Sequence, residues 1–180
     1  LELNIDGVGK STVSTGVPFL DHMLCLLAKH GLFDLKVKAK GDLEVDIHHT
    51  NEDVGITLGE AFKQALGKKQ GIRRYGFSNV PMDEVLAKVT LDFSGRPSLH
   101  THKARGVSFS RLENYSYHDA LEFTRALCQH AGINMHIELG SGKDSHHIIE
   151  GVFKAMAKAL DMATTVDPRV KGIPSTKGSL

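Results

Sequence analysis

Two stretches of the chain carry the same His-His-x-x-Glu pattern, one near the end of the first third and one in the last third. On a helix, each Glu lies three and four residues after the two histidines and can share a face with either. Adjacent histidines point about 100° apart, so one can join the Glu at a metal while its neighbour points to another. Imidazole and carboxylate together suit Mn, Fe, Zn or Ni. The six residues are His48, His49, Glu52, His146, His147 and Glu150.

The alternative interpretation of these stretches is two polar helix starts with chance histidines. It explains a single copy well, but two copies in one short chain favour a metal site. Cys25 and Cys128 each fall in an apolar helical pattern without metal-type spacing. We therefore expect two buried free thiols and not competing ligands or a disulfide.

The composition is that of an ordinary globular protein, with 41% hydrophobic and 24% charged residues among 180. The net charge of +1 gives no reason to expect nucleic acid or a membrane as a partner. No run of about 18 apolar residues predicts a transmembrane helix. We expect a cytoplasmic protein, or a plastid one if a transit peptide belongs upstream of Leu1.

Three strands and two helices are predicted to position the first motif. Residues 1–5 alternate as a strand, and an apolar stripe after Pro18 predicts a helix that Gly31 ends. His22 falls beside that stripe, where a lone histidine is more often structural than a ligand. Alternation in 33–40 and 43–47 predicts a β-hairpin that leads directly to His48, and a helix follows over 52–66.

The second half repeats the order of helix, strand and motif helix. Its predicted helices cover 117–130 and 147–165, its strands cover 85–93, 99–103 and 133–139, and 104–114 is predicted to be a loop. On the last strand, His136 shares a face with Asn134 and Glu138. These patterns predict an α+β fold with an internal duplication, in which residues 1–80 and 81–180 form two halves of one compact unit.

Five segments together resemble the imidazoleglycerol-phosphate dehydratase family, in the family's order and over nearly the whole chain. That resemblance implies two α/β half-domains whose helices pack between two four-stranded mixed sheets. It also implies dehydration of imidazole glycerol phosphate to imidazole acetol phosphate in histidine biosynthesis. The segments are Phe19-Leu20-Asp21-His22-Met23, His48-His49-Thr50-Asn51-Glu52-Asp53, Ser94-Gly95-Arg96-Pro97, Ser145-His146-His147-Ile148-Ile149-Glu150 and Pro174-Ser175-Thr176-Lys177-Gly178.

The resemblance further implies a site with two Mn²⁺ ions, or other divalent metals, that binds the substrate as imidazolate. Glu150 or Glu52 is expected to transfer the proton, and His22 or His49 to assist the leaving hydroxyl. The phosphate group of the substrate is expected to contact Arg74, Arg96, Ser175 and Lys177, a set suited to a dianion. The implied metal ligands are His22, His48, His49, Glu52, His136, His146, His147 and Glu150.

The expected assembly is a homo-oligomer of 24 chains built from trimers, with metals at subunit contacts. Two other classes of function remain open. A binuclear phosphatase would hold the phosphate at its metals, and a non-catalytic metal-binding shell protein would leave the arginines and the Ser-Thr-Lys-Gly tail unexplained.

Overall fold

In the computed structural model, which describes residues 1–110 and 112–180, four α-helices pack between two mixed β-sheets. The first sheet has the strand order β1-β3-β2 and the second has the order β4-β5-β7-β6. The helices are α1 (Pro18–Gly31), α2 (Ile47–Leu66), α3 (Tyr117–Ala131) and α4 (Ser145–Thr164). The strands are β1 (Glu2–Asn4), β2 (Ser11–Ser14), β3 (Asp34–Lys38), β4 (Tyr75–Met82), β5 (Val85–Asp92), β6 (Ser98–Lys103) and β7 (Asn134–Ser141).

The two halves repeat one ββαβα unit. β2 and β3 are parallel and joined through α1, as β6 and β7 are parallel and joined through α3. β1 pairs antiparallel with β3, as β5 does with β7. Both α1 and α3 end in a left-handed residue, Leu32 and Gly132, whose N–H donates to the carbonyl of Ala28 and Cys128 respectively. The repeat therefore relates residues of this region at an offset of 100 positions, which confirms the predicted duplication.

The first sheet has three strands among the described residues, where four were expected. β4 is the additional strand of the second half. It lies at the sheet edge and, in the described part of the chain, pairs with β5 alone. The predicted boundary at residue 80 falls inside β4, whose residues belong by hydrogen bonding to the second sheet.

The predicted hairpin is wrong, because 43–47 form turns and the first residue of α2. Asp46 is the N-cap of α2, and its side chain accepts a hydrogen bond from the backbone N–H of His48. That contact satisfies a free N–H at the helix start and favours the helix over a strand. β2 and β4 were not predicted. The loop predicted over 104–114 is confirmed except at Arg111, which lies outside the described residues.

The helices meet in pairs, α1 with α4 and α2 with α3, and their apolar faces form one core with the sheets. Close approach of α2 and α3 depends on two glycines. A Cβ added at Gly55 would lie 2.7 Å from the carbonyl oxygen of Phe123, and one at Gly59 would lie 2.8 Å from that of Leu127. This packing fixes the starts of the motif helices relative to their partners.

Cys128 is a buried free thiol, as predicted, while Cys25 is half-buried and also free. Among the residues that the structure describes, no helix is both long and apolar enough to cross a membrane.

Candidate active site

Both His-His-x-x-Glu motifs lie at the start of a helix, as predicted, and an aspartate caps each helix. Asp144 precedes α4 by one residue, and its carboxylate accepts hydrogen bonds from the backbone N–H groups of His146 and His147 at 2.8 and 3.3 Å. Asp46 makes the equivalent contact with His48 at 2.9 Å. The cap fixes the first helical turn, so the backbone holds the paired histidines in a defined orientation.

Three residues of the predicted ligand set form a cluster between α1 and α4. The Nε2 atom of His146 lies 3.2 Å from Oε2 of Glu150, and Nε2 of His22 lies 3.7 Å from the same oxygen. The donor atoms of the three side chains all lie within 4.8 Å of one another. Two imidazoles and a carboxylate in this arrangement are suitable ligands for a divalent transition metal. The structure thus brings together His22 and the second motif, which are separated in sequence by more than a hundred residues.

Glu150 is the buried acid of this cluster, with a side chain only 10% exposed. Burial alone raises the pKa of Glu150, but the hydrogen bond and charge of Lys154, with His146 and His22, lower it overall. Lys154 Nζ lies 2.6 Å from Oε1, which leaves Oε2 facing the two histidines. A carboxylate kept ionised in this way can serve as a metal ligand or accept a proton.

The first motif is more open than the second. Nε2 of His48 lies 3.9 Å from Oε2 of Glu52, and their side chains are 43% and 50% exposed. The residue at the place of His22 in the other half is Glu122, because the repeat offset through α1 and α3 is 100 positions. Glu122 has carboxylate oxygens where His22 has imidazole nitrogens, and its Oε1 lies 3.4 Å from a guanidinium nitrogen of Arg125.

The second histidine of each motif turns to an acidic residue on a neighbouring segment. Nδ1 of His49 lies 2.9 Å from Asp42, and Nδ1 of His147 lies 2.9 Å from Glu84. Hydrogen bonds to these carboxylates raise the pKa of both histidines, and the hydrogen bond from His147 lowers the pKa of Glu84 to about 2. In each motif the first imidazole faces the glutamate of that motif, and the second faces an acidic residue on another segment. This matches the prediction that the two adjacent histidines point in different directions.

His136 is the one predicted ligand that the second sheet separates from this cluster within a chain. It is exposed on β7, where Met135 and Ile137 face the core from the opposite side of the strand. At the repeat offset of 100 positions, the residue equivalent to His136 is Lys36 on β3. Both residues lie on strands, whereas the clustered residues lie on helices. Within one chain, His136 and the cluster at His22 lie on opposite faces of the sheet.

The four residues predicted to bind phosphate line one open cavity of about 520 Å³ at the C-terminal tail, together with Tyr75. The guanidinium of Arg74 donates to both oxygens of Asp92, at 2.7 and 3.0 Å, and to the carbonyl of Pro174 at 2.9 Å. Arg74 thereby connects the sheet to the tail, which places Ser175 and Lys177 beside Arg96. Two guanidinium groups, an ammonium and a hydroxyl around one cavity suit a phosphate group.

The cavity lies at one end of α4, and the cluster of His22, His146 and Glu150 lies at the other. The backbone N–H of Arg74 donates to the carbonyl of Ala163 near the helix C-terminus, whereas Glu150 lies near its N-terminus. At about 1.5 Å per residue, the two positions are about 20 Å apart along the helix. A small molecule cannot contact both ends within one chain.

Comparison with known proteins identifies the family. The sequence model for imidazoleglycerol-phosphate dehydratase matches residues 15–160. The chain belongs to the imidazoleglycerol-phosphate dehydratase family. A relative from Pelobacter propionicus with that name is 55% identical over all of this chain and 91% of its own length, and one from Acetivibrio thermocellus is 58% identical with the same coverage.

Two solved imidazoleglycerol-phosphate dehydratases share the fold. The Staphylococcus aureus protein superposes with a TM-score of 0.82 at 37% identity and covers 92% of each chain. The Pyrococcus furiosus protein, solved in complex with (S)-C348, has a TM-score of 0.82 at 34% identity and covers 99% of this chain and 94% of its own. The predicted family and its duplicated fold are therefore confirmed.

Sequence reasoning missed the residues that support the histidines. Lys154 lies one helical turn after Glu150, a spacing that could have indicated the ion pair. The two caps could have been found from an Asp two positions before each histidine pair. Glu84 gave no such signal, because only the turn between β4 and β5 brings it to His147.

Proposed function

We propose that the chain dehydrates imidazole glycerol phosphate to imidazole acetol phosphate in histidine biosynthesis, with two Mn²⁺ ions and a substrate bound through its imidazole. The observation that carries the proposal is the cluster of His22, His146 and Glu150, found in a chain of this family. Catalysis of this dehydration has to remove a weakly acidic proton from the carbon beside the imidazole ring.

The donor set of the chain fits such a metal. One ion is proposed to bind His22, His146 and Glu150, whose donor atoms already converge. A second would use His48 and Glu52, with Glu122 as the further ligand that the repeat indicates. His49 and His147 are proposed to turn from their acidic partners to the metals. His136, which the resemblance also implied, is left out of both proposed ligand sets because it lies on the exposed face of β7. A bound divalent ion would supply Lewis-acid polarisation of the substrate's imidazole ring.

Glu150 is better suited than Glu52 to transfer the proton. Its side chain is 10% exposed, against 50% for Glu52, so a substrate there would be better shielded from water. Lys154 holds one carboxylate oxygen, which orients the other, Oε2, toward the reacting centre. His22, whose Nε2 lies 3.7 Å from Oε2, would then assist the departing hydroxyl. A positioned acid or base of this kind contributes about 10²- to 10⁴-fold in rate.

The phosphate cavity is proposed to anchor the other end of the substrate. Arg74 and Arg96 lie beside Lys177 and Ser175 in that cavity. Because it lies about 20 Å from Glu150 along α4, the cavity of one chain would serve the metal cluster of another. An oligomer is therefore part of the proposed function, and an assembly of 24 chains built from trimers is the form that we propose.

A phosphatase is disfavoured by the same geometry, because the phosphate-binding cavity and the metal ligands belong to separate parts of the fold. The test is to supply imidazole glycerol phosphate with Mn²⁺ and to measure imidazole acetol phosphate and free phosphate in parallel. The proposal expects only the dehydration product. Release of phosphate without dehydration would establish a phosphatase, and neither product would leave a metal-binding protein without this activity.

A further inference from the structure

The outer face of the second sheet carries three histidines on two neighbouring strands. His100 and His102 lie on β6, and His136 lies on β7 beside them. The imidazole rings of His100 and His136 stack with centroids 4.5 Å apart, and those of His102 and His136 are 6.0 Å apart and nearly parallel, at 10°. All three residues are exposed. The sheet separates this face from the helices that carry His22, His146 and Glu150.

We propose that these three histidines form a binding site for a borderline divalent cation of the Zn²⁺ class, distinct from the helical metal ligands. Residues two apart on a strand share a face and lie about 6.5–7 Å apart, while neighbouring strands are about 4.8 Å apart. His136 is the register partner of His100, and its ring is also within 6.0 Å of the ring of His102. Three imidazoles with an open fourth position are a known ligand set for tetrahedral zinc.

Binding requires the stacked rings to turn until one nitrogen of each points at a common centre. The side chains are exposed, so rotation between staggered rotamers meets little steric resistance. The imidazoles must also be neutral to bind a metal.

The fourth position of the site has a nearby oxygen donor. Glu138 lies opposite His102 in the strand register, on the same face as His136. Its carboxylate contacts Lys88 at 3.1 Å, and both side chains of this pair are more than a third exposed. An exposed ion pair of this kind contributes about 0–1 kcal/mol at most, so the carboxylate can turn to a cation, with water as the other possible ligand.

The test is to dialyse the full-length chain against Zn²⁺ over a range of concentrations and to count bound metal per chain. His100→Ala and His102→Ala should each bind about one Zn²⁺ fewer than the unchanged chain, because two remaining imidazoles do not complete the site. His118→Ala, which removes an exposed histidine from α3, is the matched control and should bind as much as the unchanged chain. Circular dichroism melting curves should coincide for all four proteins.

A second measurement counts the ligands directly. With Cu²⁺ as the probe, the nitrogen hyperfine pattern in electron paramagnetic resonance should lose one population of copper in His102→Ala and retain it in His118→Ala. The proposal is overturned if the zinc count and the copper spectrum are the same in His100→Ala, His102→Ala and the unchanged chain. It is equally overturned if His118→Ala loses as much zinc as they do.

Discussion

Glu150→Gln tests whether the buried carboxylate stabilises the cluster that it forms with His22 and His146. The substitution keeps the shape of the side chain and removes its charge, which leaves Lys154, 19% exposed, without its partner at 2.6 Å. Loss of a charged hydrogen bond at a largely buried site costs about 1.5–3 kcal/mol. For a chain of this size each kcal/mol lowers the melting temperature by about 2–4 °C, so the expected loss is about 3–12 °C in the presence of chelator.

Glu52→Gln makes the same chemical change in the first motif and is the control. Glu52 is 50% exposed and 3.9 Å from His48, so its loss should cost no more than about 1 kcal/mol without metal. Adding Mn²⁺ should raise the melting temperature of the unchanged chain and raise that of Glu150→Gln much less, since a ligand stabilises only the state that binds it. Calorimetry at one protein concentration, with and without Mn²⁺, measures the melting temperatures of the unchanged chain and of both variants.

The difference in stability between the unchanged chain and Glu150→Gln should also depend on pH. Because the pKa of Glu150 is lowered in the folded chain, its ionised form stabilises the fold above the unfolded pKa of about 4.3. That stabilisation disappears as the pH falls through the folded value. The gap in stability between the unchanged chain and Glu150→Gln should therefore be full at pH 7 and should shrink once the pH falls below about 4.3. A gap that is absent at pH 7, or equal to that of Glu52→Gln, would refute the role given to this carboxylate.

Three further predictions concern the phosphate cavity, the metal ligands and the assembly. Lys177→Ala should raise KM about ten- to a hundredfold by removing a charged contact, with metal content unchanged; steady-state kinetics and metal analysis check this, and loss of metal would contradict it. Mn²⁺ affinity should fall as the pH drops through about 6.5, and Glu84→Gln should move this fall to lower pH, because Glu84 raises the pKa of His147; dialysis at several pH values measures it. Chelation should reduce the assembly to small oligomers, probed by native mass, and an unchanged mass would place the metals away from the contacts that hold it.

The sequence predicted most of the elements that carry the site, because their signals are local. Helical spacing identified α1, α3 and α4, and the duplicated motif indicated the repeat. β4 was missed because it is an edge strand, in which Gly76 and Pro81 interrupt the alternation of apolar and polar residues. The hairpin was wrong because Leu43, Val45 and Ile47 alternate like a strand, while the capping side chain of Asp46 determined the structure.

The grouping of His22, His146 and Glu150 depends on helix packing and could not be predicted from sequence spacing. His22 approaches Glu150 because α1 packs on α4, and nothing local to either helix specifies that contact. The resemblance supplied His22 as a ligand, but it also placed His136 in the same set. The strand alternation of β7 puts His136 on the face opposite the core, so the periodicity of the strand was the stronger guide to its position.

The last prediction follows from two separations within one chain. The two motifs lie apart from each other, and the phosphate cavity lies apart from Glu150. Among the described residues, the cluster of His22, His146 and Glu150 includes two residues of the second motif and none of the first. If a complete site combines the first motif of one chain with the second motif of a neighbour, the contact is head to tail, and such contacts close into rings such as trimers. Glu52→Gln and Glu150→Gln chains should then be inactive alone and should regain activity when they are mixed.

The size of the recovery follows from counting sites. In an equal mixture that reassembles at random, a site needs an intact first motif from a Glu150→Gln chain and an intact second motif from a Glu52→Gln chain. Each has a chance of one half, so about one quarter of the sites should be active in a closed ring of head-to-tail contacts. The measurement is dehydratase activity after chelation, mixing and return of Mn²⁺, with each variant treated alone as the control. No recovery, although native mass spectrometry detects mixed assemblies, would show that both motifs of a site come from one chain.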